Sequence, residues 1–252
     1  MIKKFYLIPL FLFAFICIAN NSYSQVLKKQ PKKSITIKKP VKKIAVIQKP
    51  IPGIRVKITT DSGVIIVRLY DSTPLHRDNF VKLVKQGFYD SLIFHRVIQQ
   101  FMIQGGDPLS KNAQPGQPLG MGGSDMQRIP AEFKPYLIHK RGALAAARDN
   151  NPEKASSACQ FYIIQGKKYG AAELDQLIAQ TGAQYTQAQR NTYMKVGGVP
   201  FLDMNYTVFG EVESGLEVID KIANAPKDAG DRPLNDIRMK MEVVERPIVS
   251  PK

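Results

Sequence analysis

The chain contains few of the side chains on which metal-dependent and covalent catalysis depend. Its 252 residues include two cysteines, Cys17 and Cys159, and three histidines, His76, His95 and His139. The histidines are far apart in sequence and lack the spacing of metal ligands, so we expect no zinc site. Cys159 has no obvious paired base, and no serine lies in a nucleophile-elbow sequence. What remains is a site that works without covalent chemistry.

Acidic residues are missing from the N-terminal part of the chain, where none occurs before Asp61. The whole sequence has 36 Lys and Arg residues against 21 Asp and Glu, a formal net charge of +15. Residues 50–252 carry 25 basic and 21 acidic residues and are nearly balanced. The surplus of positive charge therefore belongs to the N-terminal segment and not to the expected folded domain.

Residues 1–24 have the pattern of a secretory signal. Lys3-Lys4 precede a run that is almost wholly apolar as far as Ala19, and Ser22-Tyr23-Ser24 supplies a small-x-small cleavage pattern. We therefore predict export, with the periplasm as the destination, and a mature chain that begins at Gln25.

Two alternatives to a cleaved signal remain. An uncleaved membrane anchor is one, although the apolar run is short for a span. Lipid modification of Cys17 is the other, and the bulky Ile16 before it disfavours that interpretation. Cleavage would leave Cys159 as the single cysteine, which excludes an internal disulfide.

Residues 25–52 contain repeated Lys-Lys pairs, several prolines and no acids. Such a segment cannot build a core, so we expect a flexible arm. A solvated spacer is its simplest interpretation. Behind an export signal, an anionic envelope surface is a second candidate partner for the arm, and nucleic acid is not expected.

From Arg55 onward the pattern favours a mainly β fold. Predicted strands occupy residues 55–60, 63–70, 94–98, 101–103, 141–148, 156–166 and 239–249, and residues 201–212 predict a hairpin-like pair. One helix is predicted from an N-cap at Thr73 to Gly87 and another over 214–225. Many short strands with only two flanking helices favour a closed antiparallel barrel over βαβ units.

Residues 167–199 interrupt this pattern with helix-forming Ala, Glu, Leu and Gln, broken at Thr181-Gly182. We predict two short helices in an insertion. Its polar surface suggests that the insertion packs on the barrel rim without a core of its own.

One stretch combines strand-forming residues with charged and amide side chains. Residues 94–108 have the sequence FHRVIQQFMIQGGDP, in which two short apolar runs end at a double glycine. Strict alternation places Arg96 on the same face as Phe94 and Ile98, and Met102 on the face opposite Phe101. An arginine, an aromatic ring, a thioether and an amide are thus expected close together.

This stretch resembles the signature of the cyclophilin family of peptidyl-prolyl isomerases. Further motifs of the family recur in order over about residues 54–248, interrupted by the insertion. The resemblance implies an isomerase domain over residues 53–248, with a closed eight-stranded antiparallel barrel capped by two helices. It also implies an enzyme that accelerates X-Pro isomerisation in proline-containing unfolded or exported polypeptides, without cofactor or ATP.

By this resemblance, Arg96 is the catalytic arginine and the other candidates bind substrate. They are Phe101, Met102, Gln104, Gly120, Ala147, Arg148, Gln160, Tyr162, Phe201, Leu202 and Tyr206. Gln104 and Gln160 are expected to hold the substrate backbone. Several positions depart from the family pattern: Arg148 replaces an Asn, Tyr162 a usual Phe, Phe201 a frequent Trp and Tyr206 a frequent His. These departures bear on peptide preference more than on the reaction.

A rival hypothesis is a non-catalytic module that binds proline peptides and is tethered by the basic arm. An intact Arg96 favours the enzyme. An insertion that covered the pocket would favour the module.

Overall fold

The computed structural model describes residues 53–244. The predicted signal, the lysine-rich arm and residues 245–248 of the predicted domain lie outside the described residues. Within that range the strands are β1 Arg55–Thr60, β2 Gly63–Leu69, β3 Phe94–Ile98, β4 Met102–Gly105, β5 Ala143–Ala146, β6 Phe161–Ile164, β7 Val208–Ser214 and β8 Met239–Val244. The α-helices are α1 Pro74–Lys85, α2 Ala171–Thr181, α3 Gln187–Lys195 and α4 Leu216–Ala223. None of the helices in residues 53–244 has the length and apolar character needed to span a membrane.

The eight strands form one antiparallel sheet in the order β3-β4-β6-β5-β7-β2-β1-β8, which curls into a half-barrel. The predicted closed barrel is not what the structure shows, because β3 and β8 remain the outer strands. The segments next to these two strands are joined by a bridge between Ile93 and Arg238 and by nearby backbone hydrogen bonds. The mainly β, eight-stranded antiparallel prediction is confirmed, and closure by a continuous ladder is not.

The two faces of the sheet carry different clusters of apolar side chains. On β6, Phe161 and Ile163 point into the main core, whereas Tyr162 and Ile164 point to the opposite face. Side chains alternate across a strand, so this split follows directly from the sequence order. The helices α1 and α4 supply the main core with apolar side chains of their own, such as Phe80. The opposite face is left for a second, smaller cluster, and this face carries the candidate site.

Helix α1 begins and ends where the sequence predicts, but its N-terminus is stabilised differently. Thr73 occupies the N-cap position without a side-chain capping bond. The Glu132 carboxylate accepts hydrogen bonds from the backbone N–H groups of Leu75 and His76 instead, at 3.2 and 3.0 Å. Because a carboxylate satisfies donors that have no partner within the helix, a residue distant in sequence takes over the role predicted for Thr73.

A β-bulge changes which way the side chains of β3 point. The register with β4 pairs Phe94 with Gly105 and Arg96 with Gln104, so one extra residue, His95, lies between the two pairs. Phe94 therefore packs in the main core, while Arg96 faces the opposite side. The prediction that these two residues share a face is wrong for this reason.

The insertion contains the two predicted helices, α2 and α3. Helix α2 is terminated by Gly182, which directly follows its last residue. The φ of Gly182 is +68°, a left-handed conformation that glycine adopts readily. The expectation that the insertion lacks a core is wrong, because Leu174 and Tyr193 are fully buried in a small cluster with Ile138 and Tyr169. The predicted hairpin over 201–212 is also wrong, since residues 200–202 form a 3₁₀ turn and the strand begins at Val208.

Candidate active site

A cleft of about 130 Å³ opens on the face of the sheet opposite the main core, where β3, β4, β6 and β5 are neighbours. Nine of the twelve predicted site residues line it: Arg96, Phe101, Met102, Gln104, Ala147, Arg148, Tyr162, Leu202 and Tyr206. Strands supply one wall, and the loop before β7 supplies Leu202 and Tyr206. Residues more than 100 positions apart in sequence thus converge on one concave surface.

Arg96 lies at this cleft with its guanidinium group partly exposed. Its Nε atom is 3.7 Å from Asp231 Oδ2, which makes an ion pair without a hydrogen bond. Asp231 is instead hydrogen-bonded to Lys227 Nζ at 2.7 Å. Within residues 53–244 no other carboxylate pairs with Arg96. The guanidinium group therefore retains donors for a substrate, and Asp231 is a neighbour that the sequence pattern did not identify.

Apolar side chains form the floor and one rim of the cleft. Met102 and Leu202 are buried in the second apolar cluster. Phe101 lies in the turn before β4, so it reaches the same cleft as Met102 although strict alternation placed them on opposite faces. Phe201 does not line the cleft: it is 49% exposed and stacks on Phe101 with ring centroids 5.9 Å apart. A surface of this kind can hold a small apolar ring.

Two aromatic rings and a second arginine close the far side. Tyr162 and Tyr206 meet edge to face at 6.0 Å, and the Arg148 guanidinium carbon lies 4.8 Å from the centre of the Tyr206 ring. Arg148 also donates to the backbone oxygens of Asn205 and Asp149, at 2.9 and 2.8 Å. No ion pair to Arg148 occurs in the described part of the chain, so its charge is not neutralised by a carboxylate.

A second cleft of about 280 Å³ adjoins the first and shares Gln104, Ala147 and Arg148 with it. Gly120 and Gln160, the two remaining predicted residues, line this second cleft. Together the two clefts form one groove, along which an extended peptide could contact both.

Gln160 makes hydrogen bonds within the protein that the sequence pattern did not predict. Its Nε2 atom donates to the backbone oxygens of Gly120 and Gly122, both at 2.9 Å, and its Oε1 accepts from Gln104 Nε2 at 3.1 Å. Because both amide protons are already engaged, Gln160 holds the glycine loop and Gln104 in place, and its Oε1 atom keeps one lone pair for a substrate N–H group. Asp107 supports the same loop by accepting from the Gly120 N–H group.

His95 is buried beneath this loop without a hydrogen-bond partner for either ring nitrogen among residues 53–244. The pKa of His95 is lowered to about 4, mainly by burial. Asp107 opposes this shift, and the charges of Arg96 and Arg232 contribute to it. The ring is therefore neutral at physiological pH. The His95 ring therefore adds no charge beneath the glycine loop.

The cleft continues into a buried polar network that the sequence pattern did not reveal. His139 Nε2 lies 3.0 Å from the Tyr162 hydroxyl, and His139 Nδ1 lies 2.7 Å from Asp203 Oδ1. No spacing rule connects these positions, because 64 residues separate His139 from Asp203. Within residues 53–244 no group of three His, Cys, Asp or Glu side chains is arranged to hold a metal ion.

Comparison with known proteins identifies relatives of this chain. Residues 55–243 match the model of the cyclophilin type peptidyl-prolyl cis-trans isomerase family. A candidate peptidyl-prolyl cis-trans isomerase of Staphylococcus aureus is 35% identical over 187 residues, which are 73% of this chain and 88% of that protein. A candidate bifunctional phosphatase and isomerase of Streptococcus pyogenes is 36% identical over 192 residues, but the match spans only 37% of that protein.

Solved structures give a concordant result. A cyclophilin-type isomerase of Cryptosporidium parvum superposes with a TM-score of 0.57 and 26% identity, covering 78% of this chain and 100% of that chain. A crystal structure of the same protein in the presence of the dipeptide Ala-Pro gives a TM-score of 0.57 and 25% identity, covering 76% of this chain and 99% of that chain.

Proposed function

This chain belongs to the cyclophilin family of peptidyl-prolyl cis-trans isomerases, and we propose that the cleft beside Arg96 is where it twists the X-Pro amide. Proline-containing peptides are the substrates of such an isomerase. The Ala-Pro dipeptide used with the Cryptosporidium parvum structure supports a proline residue as the part that is recognised.

The reaction requires stabilisation of a twisted amide and no bond cleavage. Amide resonance sets a barrier of about 18–20 kcal/mol, and an X-Pro bond exchanges uncatalysed in tens of seconds or more. The twisted amide loses resonance, so its nitrogen becomes a hydrogen-bond acceptor. A donor that binds this nitrogen in the twisted state, but in neither planar isomer, accelerates exchange in both directions.

The proposal rests on the position of Arg96, whose N–H donors are free for a substrate and which lies beside an apolar cleft. Arg96 is only loosely paired with Asp231, at 3.7 Å. Met102, Phe101 and Leu202 provide the surface on which the pyrrolidine ring is fixed. The Arg96 guanidinium group then donates to the prolyl nitrogen as the preceding carbonyl rotates. Lowering the barrier by about 7 kcal/mol corresponds to roughly 10⁵-fold acceleration.

The rest of the peptide follows the groove formed by the two clefts. The Gln104 amide has an acceptor oxygen and one N–H left after its bond to Gln160, and these hold the substrate backbone. The main chain at Ala147 and Arg148, where the two clefts meet, is the second site of backbone contact. Gly120 lets the chain approach closely because it has no side chain. Tyr206 shapes the rim, and Phe201 supports Phe101 by stacking on it.

The non-catalytic alternative receives no support from the insertion. None of residues 167–199 lines either cleft. With Arg96 present and the cleft uncovered by this segment, the arrangement favours turnover over simple capture of a proline-bearing partner.

We further propose that the enzyme acts on exported proteins, after residues 1–24 have directed it to the periplasm. The lysine-rich arm over 25–52 then serves as a spacer or binds an anionic envelope surface. Fractionation of cells that express the full chain tests the first part. Salt-sensitive binding to anionic vesicles, lost on deletion of residues 25–52, tests the second.

The test of the proposed activity is the exchange rate of a peptide with a single Ala-Pro bond. The full chain should accelerate exchange, and Arg96→Ala should remove most of the acceleration while the circular dichroism spectrum is retained. Arg238→Ala is the matched control, because Arg238 is equally exposed and lines neither cleft. Equal activity in the Arg96→Ala and Arg238→Ala variants would contradict the assignment.

A further inference from the structure

Among the contacts between the insertion and the candidate proline site, the buried carboxylate of Asp203 collects the most hydrogen bonds. This carboxylate accepts hydrogen bonds from two insertion tyrosines: Tyr185, whose hydroxyl lies 2.8 Å from Asp203 Oδ2, and Tyr193. On its other oxygen it accepts from the backbone N–H and from Nδ1 of His139, at 2.8 and 2.7 Å. Four donors therefore saturate a single carboxylate, and two of them come from the insertion.

From Asp203 the contacts lead to two walls of the cleft. One route is the chain itself, because Asp203 directly follows Leu202, which lines the cleft. Tyr185 reinforces this route, since its hydroxyl also lies 2.9 Å from the Pro200 backbone oxygen and shares its single proton between that oxygen and Asp203. The insertion thus holds the 3₁₀ turn that carries Leu202.

The second route passes through His139 to Tyr162. His139 Nδ1 lies 2.7 Å from Asp203 Oδ1, and His139 Nε2 lies 3.0 Å from the Tyr162 hydroxyl, so the ring links the two side chains. Burial raises the pKa of the Tyr162 hydroxyl well above its usual value, so it keeps the proton that it donates. His139 and Tyr162 also lie nearly parallel, with ring centroids 6.0 Å apart. The hydroxyl and the stacking together fix the plane of the Tyr162 ring that forms the cleft wall.

We propose that Tyr185 and Tyr193 of the insertion are positioning residues for the proline site, acting through Asp203 on Leu202 and, through His139, on Tyr162. The insertion is then a brace for the substrate-binding wall. Its burial supports this role, because Tyr193 and His139 are completely buried and hydrogen bonds in such surroundings are costly to leave unmade.

The proposal predicts a particular kinetic change. Walls that fix the pyrrolidine ring contact it in the planar and the twisted states alike, so loosening them weakens binding more than it slows the chemical step. In a Tyr185→Phe/Tyr193→Phe variant we expect KM to rise about three- to tenfold while kcat stays within about twofold. Arg96→Ala, by contrast, lowers kcat.

The control is Tyr169→Phe, which removes a hydroxyl from the same apolar cluster. Tyr169 packs edge to face on Tyr193, but no side-chain hydrogen bond of its hydroxyl joins the described network. KM should be unchanged in this variant. A purely structural role for the insertion would lower the melting temperature of the tyrosine variants and leave KM of the folded enzyme unchanged, which would overturn the proposal.

A second variant keeps the test open if the double variant does not fold. Tyr162→Phe leaves the insertion untouched and retains the aromatic wall, but it breaks the contact with His139. A KM that rises here as well supports the route through His139, and an unchanged KM contradicts that route. The inference rests on the cleft being the proline site: an inactive wild-type enzyme would refute the proposed function, whereas an active one with normal KM in the variants would refute only the brace.

Discussion

The Gln104 side chain donates a hydrogen bond to the Gln160 side chain across 3.1 Å, and Gln160 passes the constraint on to the glycine loop. The Gln160 amide donates to the backbone oxygens of Gly120 and Gly122. A single buried side chain thus connects Gln104, which lines both clefts, to the glycine loop that lines the second cleft. The geometry available to a peptide in the groove depends on this pair.

Replacing Gln160 by leucine should loosen the loop without changing the size of the side chain greatly. Three hydrogen bonds disappear and two backbone oxygens lose a partner, which we expect to cost about 1–3 kcal/mol of unfolding free energy and about tenfold in kcat/KM. Urea unfolding and peptide exchange measure the two effects, and amide hydrogen exchange should increase at residues 120–123. Gln127→Leu, at an exposed position nearby, is the matched control. Unchanged hydrogen exchange in the loop would contradict this role.

Arg148 should make the enzyme favour acidic residues next to the substrate proline. Arg148 lines both clefts, and within residues 53–244 its guanidinium group contacts two backbone oxygens and an aromatic ring. We expect kcat/KM for peptides with Glu beside the proline to exceed that for the matching Lys peptides about two- to fivefold at low salt. A panel with Glu, Gln or Lys on either side of the proline measures this preference. If Arg148→Gln retains the preference, another group is responsible.

Stability should fall in acid partly because of His95. The folded-state pKa is about 4, below the usual value near 6.5, so between these values the unfolded chain binds more protons than the folded one. The unfolding free energy therefore decreases as the pH falls from about 6.5 toward 4, by about 2 kcal/mol between pH 7 and pH 5 from this residue. The charged groups that act on His95 are Asp107, Arg96 and Arg232.

Comparison of wild type with His95→Leu isolates this contribution from that of the carboxylates. Urea unfolding at pH 7 and pH 5 should show a smaller loss of stability in the variant. Parallel pH dependences in the two proteins would show that His95 is not the group responsible.

The sequence predicted the composition of the site better than its geometry. The contiguous motif around Arg96 and the order of the later motifs were sufficient to find nine residues of one cleft. The same motif misplaced Arg96 relative to Phe94, because a bulge at His95 is set by pairing with β4 and not by local alternation. Phe101 was misplaced for a related reason, since it lies in the turn before the strand.

Long-range polar contacts were beyond prediction. Gln160 was expected to face substrate, and only the folded loop shows that its amide also bonds to Gly120, Gly122 and Gln104. The convergence of Tyr193 and His139 on Asp203 likewise depends on where the insertion packs. No periodicity or spacing in the sequence encodes that packing.

The Arg96→Lys variant tests whether the forked guanidinium group of Arg96 stabilises the twisted amide. Lysine keeps the positive charge but replaces the planar fork with a single ammonium group. The measurement is kcat/KM for Ala-Pro exchange in wild type and variant, with folding verified by circular dichroism. We expect kcat/KM of the variant to be at least about tenfold lower than that of the wild type, because kcat falls. Wild-type kcat in the Arg96→Lys enzyme would show that charge alone, or another residue, carries the reaction.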